Sequence, residues 1–141
     1  MAHFAELDIN NKVIRVLTAC NQDIANNGGE QSEQAALHFQ SLNKFSENGV
    51  KWVQTSYNNN FRKRFAGIGD TFDLVKNKFI GRKPFPSWLL DINDDWQPPI
   101  AFPINTAYAP AWDETNLRWI SKDNQNNLLI WSPETLSWNT I

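Results

Sequence analysis

Few residues in this sequence could do chemistry, and their spacing suits it poorly. His3 and His38 lie far apart and share no metal-ligand spacing with a cysteine or a carboxylate cluster, so each reads as structural. Cys20 is the single cysteine, which excludes an intrachain disulfide or a thiolate zinc site; at the end of the β-like run VIRVLTAC it reads as a small buried hydrophobe. LDINDD carries Asp91, Asp94 and Asp95 but lacks the glycine and closing glutamate of a calcium loop, so it reads as an acidic turn. AGIGD lacks the glycine spacing of a phosphate cradle; Gly67 and Gly69, two apart, read as opening one strand face to a neighbouring aromatic. Arg62, Lys63 and Arg64 sit between Phe61 and Phe65, a composition suited to phosphate and base contacts. Strand alternation would send them to opposite faces, and the chain carries a net charge of −2, so a solvated strand edge or a polar contact to a protein fits better than nucleic acid. The residues therefore predict no enzyme, no cofactor and no metal.

The aromatic spacing is more informative. Trp112 and Trp119 bracket six residues in AWDETNLRWI, as do Trp131 and Trp138 in IWSPETLSWN and Phe72 and Phe79 in TFDLVKNKFI; Trp88 and Trp96 stand one residue further apart in SWLLDINDDWQ. At a separation of seven, two aromatics oppose each other across a hairpin with a four-residue loop; at eight, the loop takes an odd residue. A directly opposed aromatic pair contributes up to about 1 kcal/mol relative to alanines. Pro84, Pro86, Pro98, Pro99, Pro103 and Pro110 fall in the connectors GRKPFPSW and WQPPIAFPINTAYAPAW, which they hold out of helix and central strand.

Around these units the elements follow. HFAELDINNKVIRVLTA reads as a hairpin turning at Asn10-Asn11, pairing Leu7 with Ile14, Ala5 with Val16 and Glu6 with Arg15. NQDIANNGGEQSEQ reads as a polar loop. Ala35, Leu37, Phe39 and Leu42, with Ala36, then mark a helix near 32–44 capped by Ser32. Strands are predicted near 50–56, with Val50, Trp52 and Gln54 on one face, and near 64–72 and 78–81, all in one antiparallel sheet. The fold class is α+β: residues 1–97 form a small antiparallel sheet with one main helix, and 98–141 form a proline-rich extended arm bearing two minimal Trp hairpins.

Composition sets the remaining bounds. The 141 residues are 41% hydrophobic, and no apolar run approaches the roughly 18 residues of a membrane span. MAHFAELD has neither the basic region nor the apolar stretch of a secretory signal, so synthesis and residence in a cytosol are expected.

YNNNFRKRFAGIGDTFD, FIGRKPFPSWLLDINDDWQPPI and WDETNLRW, together with the opening MAHFAELD, resemble a family of small, mostly uncharacterised proteins encoded by tailed bacteriophages of marine bacteria. IWSPETLSWN resembles an extra copy of the closing unit. The resemblance implies a phage protein, made in the host cytoplasm and located in the virion, and names no catalytic residue. The expected function is that of a virion structural protein, a small accessory subunit present in multiple copies that decorates the capsid or joins capsid or tail proteins. Trp112, Trp119, Trp131, Trp138, Pro98, Pro99, Pro103 and Tyr108 are the expected partner-binding residues. The alternative is a carbohydrate-binding element of a tail fibre, in which solvated indole faces would stack on sugar rings.

Overall fold

The computed structural model describes residues 1–141 as two compact units, Met1–Arg82 and Lys83–Ile141. Two helices and four small antiparallel sheets make the fold α+β. The division lies at 82/83, ahead of the 97/98 break expected from the prolines.

In the first unit, β1 (Ala2–Leu7), β2 (Val13–Ala19) and β3 (Lys51–Thr55) form an antiparallel sheet in the order β2-β1-β3. Strand alternation sends Ala2 and Phe4 of the central strand to one face and Ala5 and Leu7 to the other, and both faces are covered. On the first face lies α2 (Glu33–Leu42), whose Phe39 ring stacks on Phe4 at 4.4 Å and meets Trp52 edge-on at 4.9 Å. The Ser32 hydroxyl accepts the Ala35 N–H at 3.0 Å, a cap of about 1 kcal/mol that starts the helix where the sequence placed it. On the second face, Phe72 and Phe79 pair across a separate hairpin of β4 (Thr71–Asp73) and β5 (Lys78–Ile80) and pack with Val13, Val53 and Ala66.

Several expectations are corrected here. Residues 64–72 do not extend the main sheet: 64–70 form no strand, Thr71 and Phe72 begin β4, and Gly67-Gly69 form a turn in which Asp70 accepts the Gly67 N–H at 2.8 Å and Gly69 takes φ +93°. No aromatic lies on an open strand face there, because no strand forms. The polar stretch after Cys20 contains α1 (Asn21–Asn26), a six-residue helix without a side-chain cap that buries one apolar residue, Ile24, too little for a periodic signal. Leu37 and Leu42 of α2 and Val50 before β3 face solvent. With both sheet faces covered, β3 is buried from Trp52 to Thr55 rather than on alternate residues.

Glu6 is fully buried and receives the Arg15 guanidinium at 2.5 Å, as the expected pairing requires. The Ser46 hydroxyl and backbone N–H also donate to it, and Arg15 donates to the Lys44 carbonyl at 2.8 Å, so one carboxylate fixes the loop between α2 and β3. Burial works to raise the Glu6 pKa, and the hydrogen bonds from Ser46 and Arg15 outweigh it, leaving the group below the usual glutamate range. A side chain at Gly49 would collide with this carboxylate.

In the second unit, β6 (Leu89–Leu90) pairs with β7 (Trp96–Gln97). β8 (Ala111–Asp113), β9 (Arg118–Lys122), β10 (Leu128–Ser132) and β11 (Ser137–Thr140) form one four-stranded meander. The expected arm with two independent hairpins is thereby corrected: the Ile120-Ile130 pairing joins them into a single sheet. Two isolated hairpins would each be marginal, and four strands over a common apolar layer are not.

The hairpin loops fall into two kinds that alternate along the chain. At Asp8–Lys12, Asp91–Asp95 and Asp123–Asn127 the leading aspartate accepts the N–H groups two and four residues on with one carboxylate oxygen, at 2.8–3.0 Å. Its own N–H reaches the carbonyl four residues on, and the fourth residue takes a positive φ: Asn11, Asp94 and Asn126. Between them, residues 74–77, 114–117 and 133–136 form four-residue loops, each entered by an Asp or Ser whose side chain accepts an N–H three residues on. Each ends on a positive-φ residue: Asn77, Leu117 and Leu136. The first hairpin thus turns on Asp8 rather than on Asn10-Asn11, and Leu7 faces Val13 instead of Ile14, while Ala5-Val16 and Glu6-Arg15 pair as expected.

Candidate functional site

The three aromatic pairs at a separation of seven are direct cross-strand partners: Phe72 with Phe79, Trp112 with Trp119 and Trp131 with Trp138, the tryptophan pairs with ring centroids 5.2 Å apart. Trp88 and Trp96 do not pair. The five-residue Asp91 loop places Leu90 opposite Trp96 and frees Trp88 to pack edge-on against Trp112 and Trp119, each at 6.2 Å.

These rings are the core of the second unit. Trp112, Trp119 and Trp131 are buried and Trp138 is half-buried, packed with Phe85, Trp88 and Ile100. The proline-rich connector crosses this layer, with Pro103 fully buried, Pro98 and Tyr108 half-buried and Pro99 exposed. Prolines donate no backbone hydrogen bond, so the connector cannot join a sheet ladder and its carbonyls need other donors. Indoles supply them: Trp119 Nε1–H reaches the Ile100 carbonyl and Trp138 Nε1–H the Asn105 carbonyl, both at 2.8 Å, and the Ser121 hydroxyl reaches the Ala109 carbonyl at 2.8 Å. Trp112 Nε1–H donates to Glu114 at 2.8 Å; the same carboxylate accepts the Ser87 N–H and hydroxyl, and these bonds, led by that of Trp112, hold its pKa below the ordinary value. Of the residues expected to bind a partner, Trp112, Trp119, Trp131 and Pro103 are buried inside the unit, while Trp138, Pro98 and Tyr108 keep partial exposure and Pro99 is exposed.

Among the apolar side chains the unit exposes, two lie at equivalent places in its loops. The loops 114–117 and 133–136 emerge at one end of the meander and Asp123–Asn127 at the other, as successive antiparallel strands require. Leu117 and Leu136 occupy the same place in the two loops, at φ 51° and 52°, and are 45% and 54% exposed. A left-handed conformation costs an ordinary L-residue about 1–2 kcal/mol, and asparagine or glycine avoids most of it. The third loop of this kind has Asn77 there, and its side chain accepts the Arg62 Nε–H at 3.0 Å. Leu117 and Leu136 were not singled out from the sequence, although aligning the three aromatic units would have shown leucine where the Phe unit has asparagine.

The other chemistry-bearing residues are placed as follows. Arg62 and Lys63 lie in a left-handed bend, not on a strand edge; Arg62 donates to the Gln54 carbonyl at 2.9 Å and the Gln31 carbonyl at 3.3 Å, and lies over the Phe72 ring. Burial lowers its pKa. Arg64 meets Asp70 at 3.3 Å. Cys20 is exposed, against expectation, because the strand ends at Ala19 and the chain turns into α1. His3 is half-buried, stacks on Tyr57 at 5.4 Å, and has its pKa lowered by burial. Asp91 caps its loop, and no group of three or more His, Cys, Asp or Glu side chains is placed to hold a metal. No helix is long and apolar enough to cross a membrane. Compared with protein-family models, curated proteins and solved structures, the chain has no significant match.

Proposed function

We propose that this chain is a structural, non-catalytic subunit of a bacteriophage particle, and that its second unit docks on a neighbouring virion protein through the loop end bearing Leu117 and Leu136. The observation that carries this reading is the repeated left-handed leucine. An exposed turn position that favours asparagine is filled twice, at one end of one sheet, by an apolar residue that gains nothing from solvent. Protein contact is the chemistry that rewards exposed aliphatic side chains on a rigid hairpin. The phage setting rests on the sequence resemblance. The carbohydrate-platform alternative loses its basis at Trp112, Trp119 and Trp131, whose rings are buried.

Mass spectrometry of purified particles from the encoding phage tests the setting: the protein should be present in multiple copies. Its absence from particles, with abundant protein in infected cells, would reject the virion assignment.

A further inference from the structure

A second surface, in the first unit and independent of the leucine loops, has the chemistry of a ligand site. An open groove of about 490 Å³ is lined by residues of α1, Glu30, Gln54, the segment Thr55–Asn58, Asn60 and Phe61. Half of its polar residues are carboxamides, Asn21, Gln54, Asn58 and Asn60. Gln54 is 3% exposed, and its carbonyl oxygen is fixed by the Gln31 N–H at 2.7 Å, while its amide nitrogen makes no hydrogen bond within the protein. Asn58 and Asn60 are exposed, which leaves their carboxamides open to solvent.

The loop that carries them is held in place. Ser56 accepts the Asn60 N–H on its hydroxyl at 2.9 Å and the Asn59 N–H on its carbonyl at 3.1 Å, and the Asn59 side chain accepts the Phe65 N–H at 2.6 Å. Tyr57 stacks on His3 and meets Phe65 edge-on at 5.3 Å, so its orientation is set while the residue stays 65% exposed. Phe61 adds a second aromatic, and Glu30 is the one charged side chain in the lining.

Carboxamides that donate and accept through a planar pair of atoms match vicinal hydroxyls, and aromatic faces match the apolar C–H faces of pyranose rings. A phosphorylated ligand would call for arginine or lysine, and the lining has neither. We propose that this groove binds a neutral saccharide, with Gln54, Asn58 and Asn60 on its hydroxyls and Tyr57 against a ring face.

The test is a titration of the full-length ¹⁵N-labelled protein with laminarihexaose, mannohexaose and chitohexaose, following side-chain amide and backbone resonances. At least one sugar should give saturable shifts at Gln54, Asn58 and Asn60. Replacing Asn60 by Ala should weaken that binding about tenfold, the loss of one good hydrogen bond. Asn60 lies on the surface, so the variant should fold; Tyr57→Leu, also at the surface, supplies a second variant with the same expected loss. Shifts absent for all three sugars, shifts confined to the second unit, or equal shifts with inorganic phosphate or an uncharged tetrapeptide would each overturn the assignment.

Discussion

Replacing both Leu117 and Leu136 by asparagine separates what these residues do for the fold from what they do for contact. Each leucine is about half exposed, so its buried half contributes roughly 1 kcal/mol, and the left-handed conformation costs roughly 1–2 kcal/mol. Asparagine gives up the first term and most of the second, and the net change per site falls between zero and about 1 kcal/mol of stabilisation. The double variant should therefore unfold at or slightly above the wild-type midpoint, followed by near-ultraviolet circular dichroism of the tryptophans. The exposed halves tell the opposite story in the particle. If a partner covers them, losing both forfeits about 2 kcal/mol, or roughly 30-fold in affinity, and the variant should be depleted from particles of phage carrying it. Depletion without destabilisation is the expected pair of results. A double variant destabilised by several kcal/mol would mean that the leucines belong to the core. Unchanged incorporation would mean that this loop end does not dock.

Three further outcomes follow from the packing. Glu6→Gln should destabilise the first unit by about 3 kcal/mol at neutral pH, the low end for a broken buried pair because Arg15 keeps some solvent; since the folded pKa lies below the unfolded value of about 4.3–4.5, the stabilisation is present above that range and lost as pH falls through the folded value, so the gap between wild type and variant should close as pH falls below the unfolded value in urea titrations. Trp119→Phe keeps a packed ring but removes the donor to the Ile100 carbonyl and should cost about 1–2 kcal/mol, whereas Trp138→Phe, whose bond to Asn105 is exposed, should cost less; equal losses on thermal unfolding would contradict the role given to the buried indole. A fragment of residues 1–82 should fold cooperatively, while 1–97 should bind a hydrophobic dye, because Phe85 and Trp88 are then cut from Trp112 and Trp119; a dye-free 1–97 fragment would restore the boundary near the prolines.

How far the sequence reveals this molecule depends on the range of each interaction. Cross-strand partners at a separation of seven, the Ser32 cap and the Glu6-Arg15 pairing are local, and the residue types suffice to read them. The Asp loops were legible too: DINNK, DINDD and DNQNN share an aspartate, an Asn or Gln two residues on, and an Asn or Asp in the left-handed place, but reading them needs the side-chain hydrogen-bond rule rather than turn propensity. The partner of Trp96 was misread for this reason, since the loop determines the register and the aromatic spacing does not. What the indoles face is a non-local matter. Whether Trp119 points to solvent or to the Ile100 carbonyl depends on where the connector crosses, and no spacing encodes that. Cys20 turned outward for a similar reason, because the end of β2 is set by its pairing with β1 at Ala2.

The alternation of loop kinds gives the leucine end its meaning. An Asp loop satisfies its own backbone groups through one carboxylate and puts Asn or Asp where φ is positive, so it closes a strand pair without left-handed strain on an apolar residue. The four-residue loop of the first unit reaches the same solution with Asn77. Four of the six loops thus use a side chain that tolerates the left-handed conformation, and the two exceptions are Leu117 and Leu136. In a meander, alternation also sorts position: the two exceptions must share one end, and the Asp123 loop must take the other. Among the hairpin loops the chain uses this low-cost answer everywhere except at the one end of the meander that carries Leu117 and Leu136. Arg62 and Lys63 also take left-handed backbone, but there Arg62 is held by bonds to the Gln54 and Gln31 carbonyls, whereas the leucines are half exposed, which is what a contact surface requires.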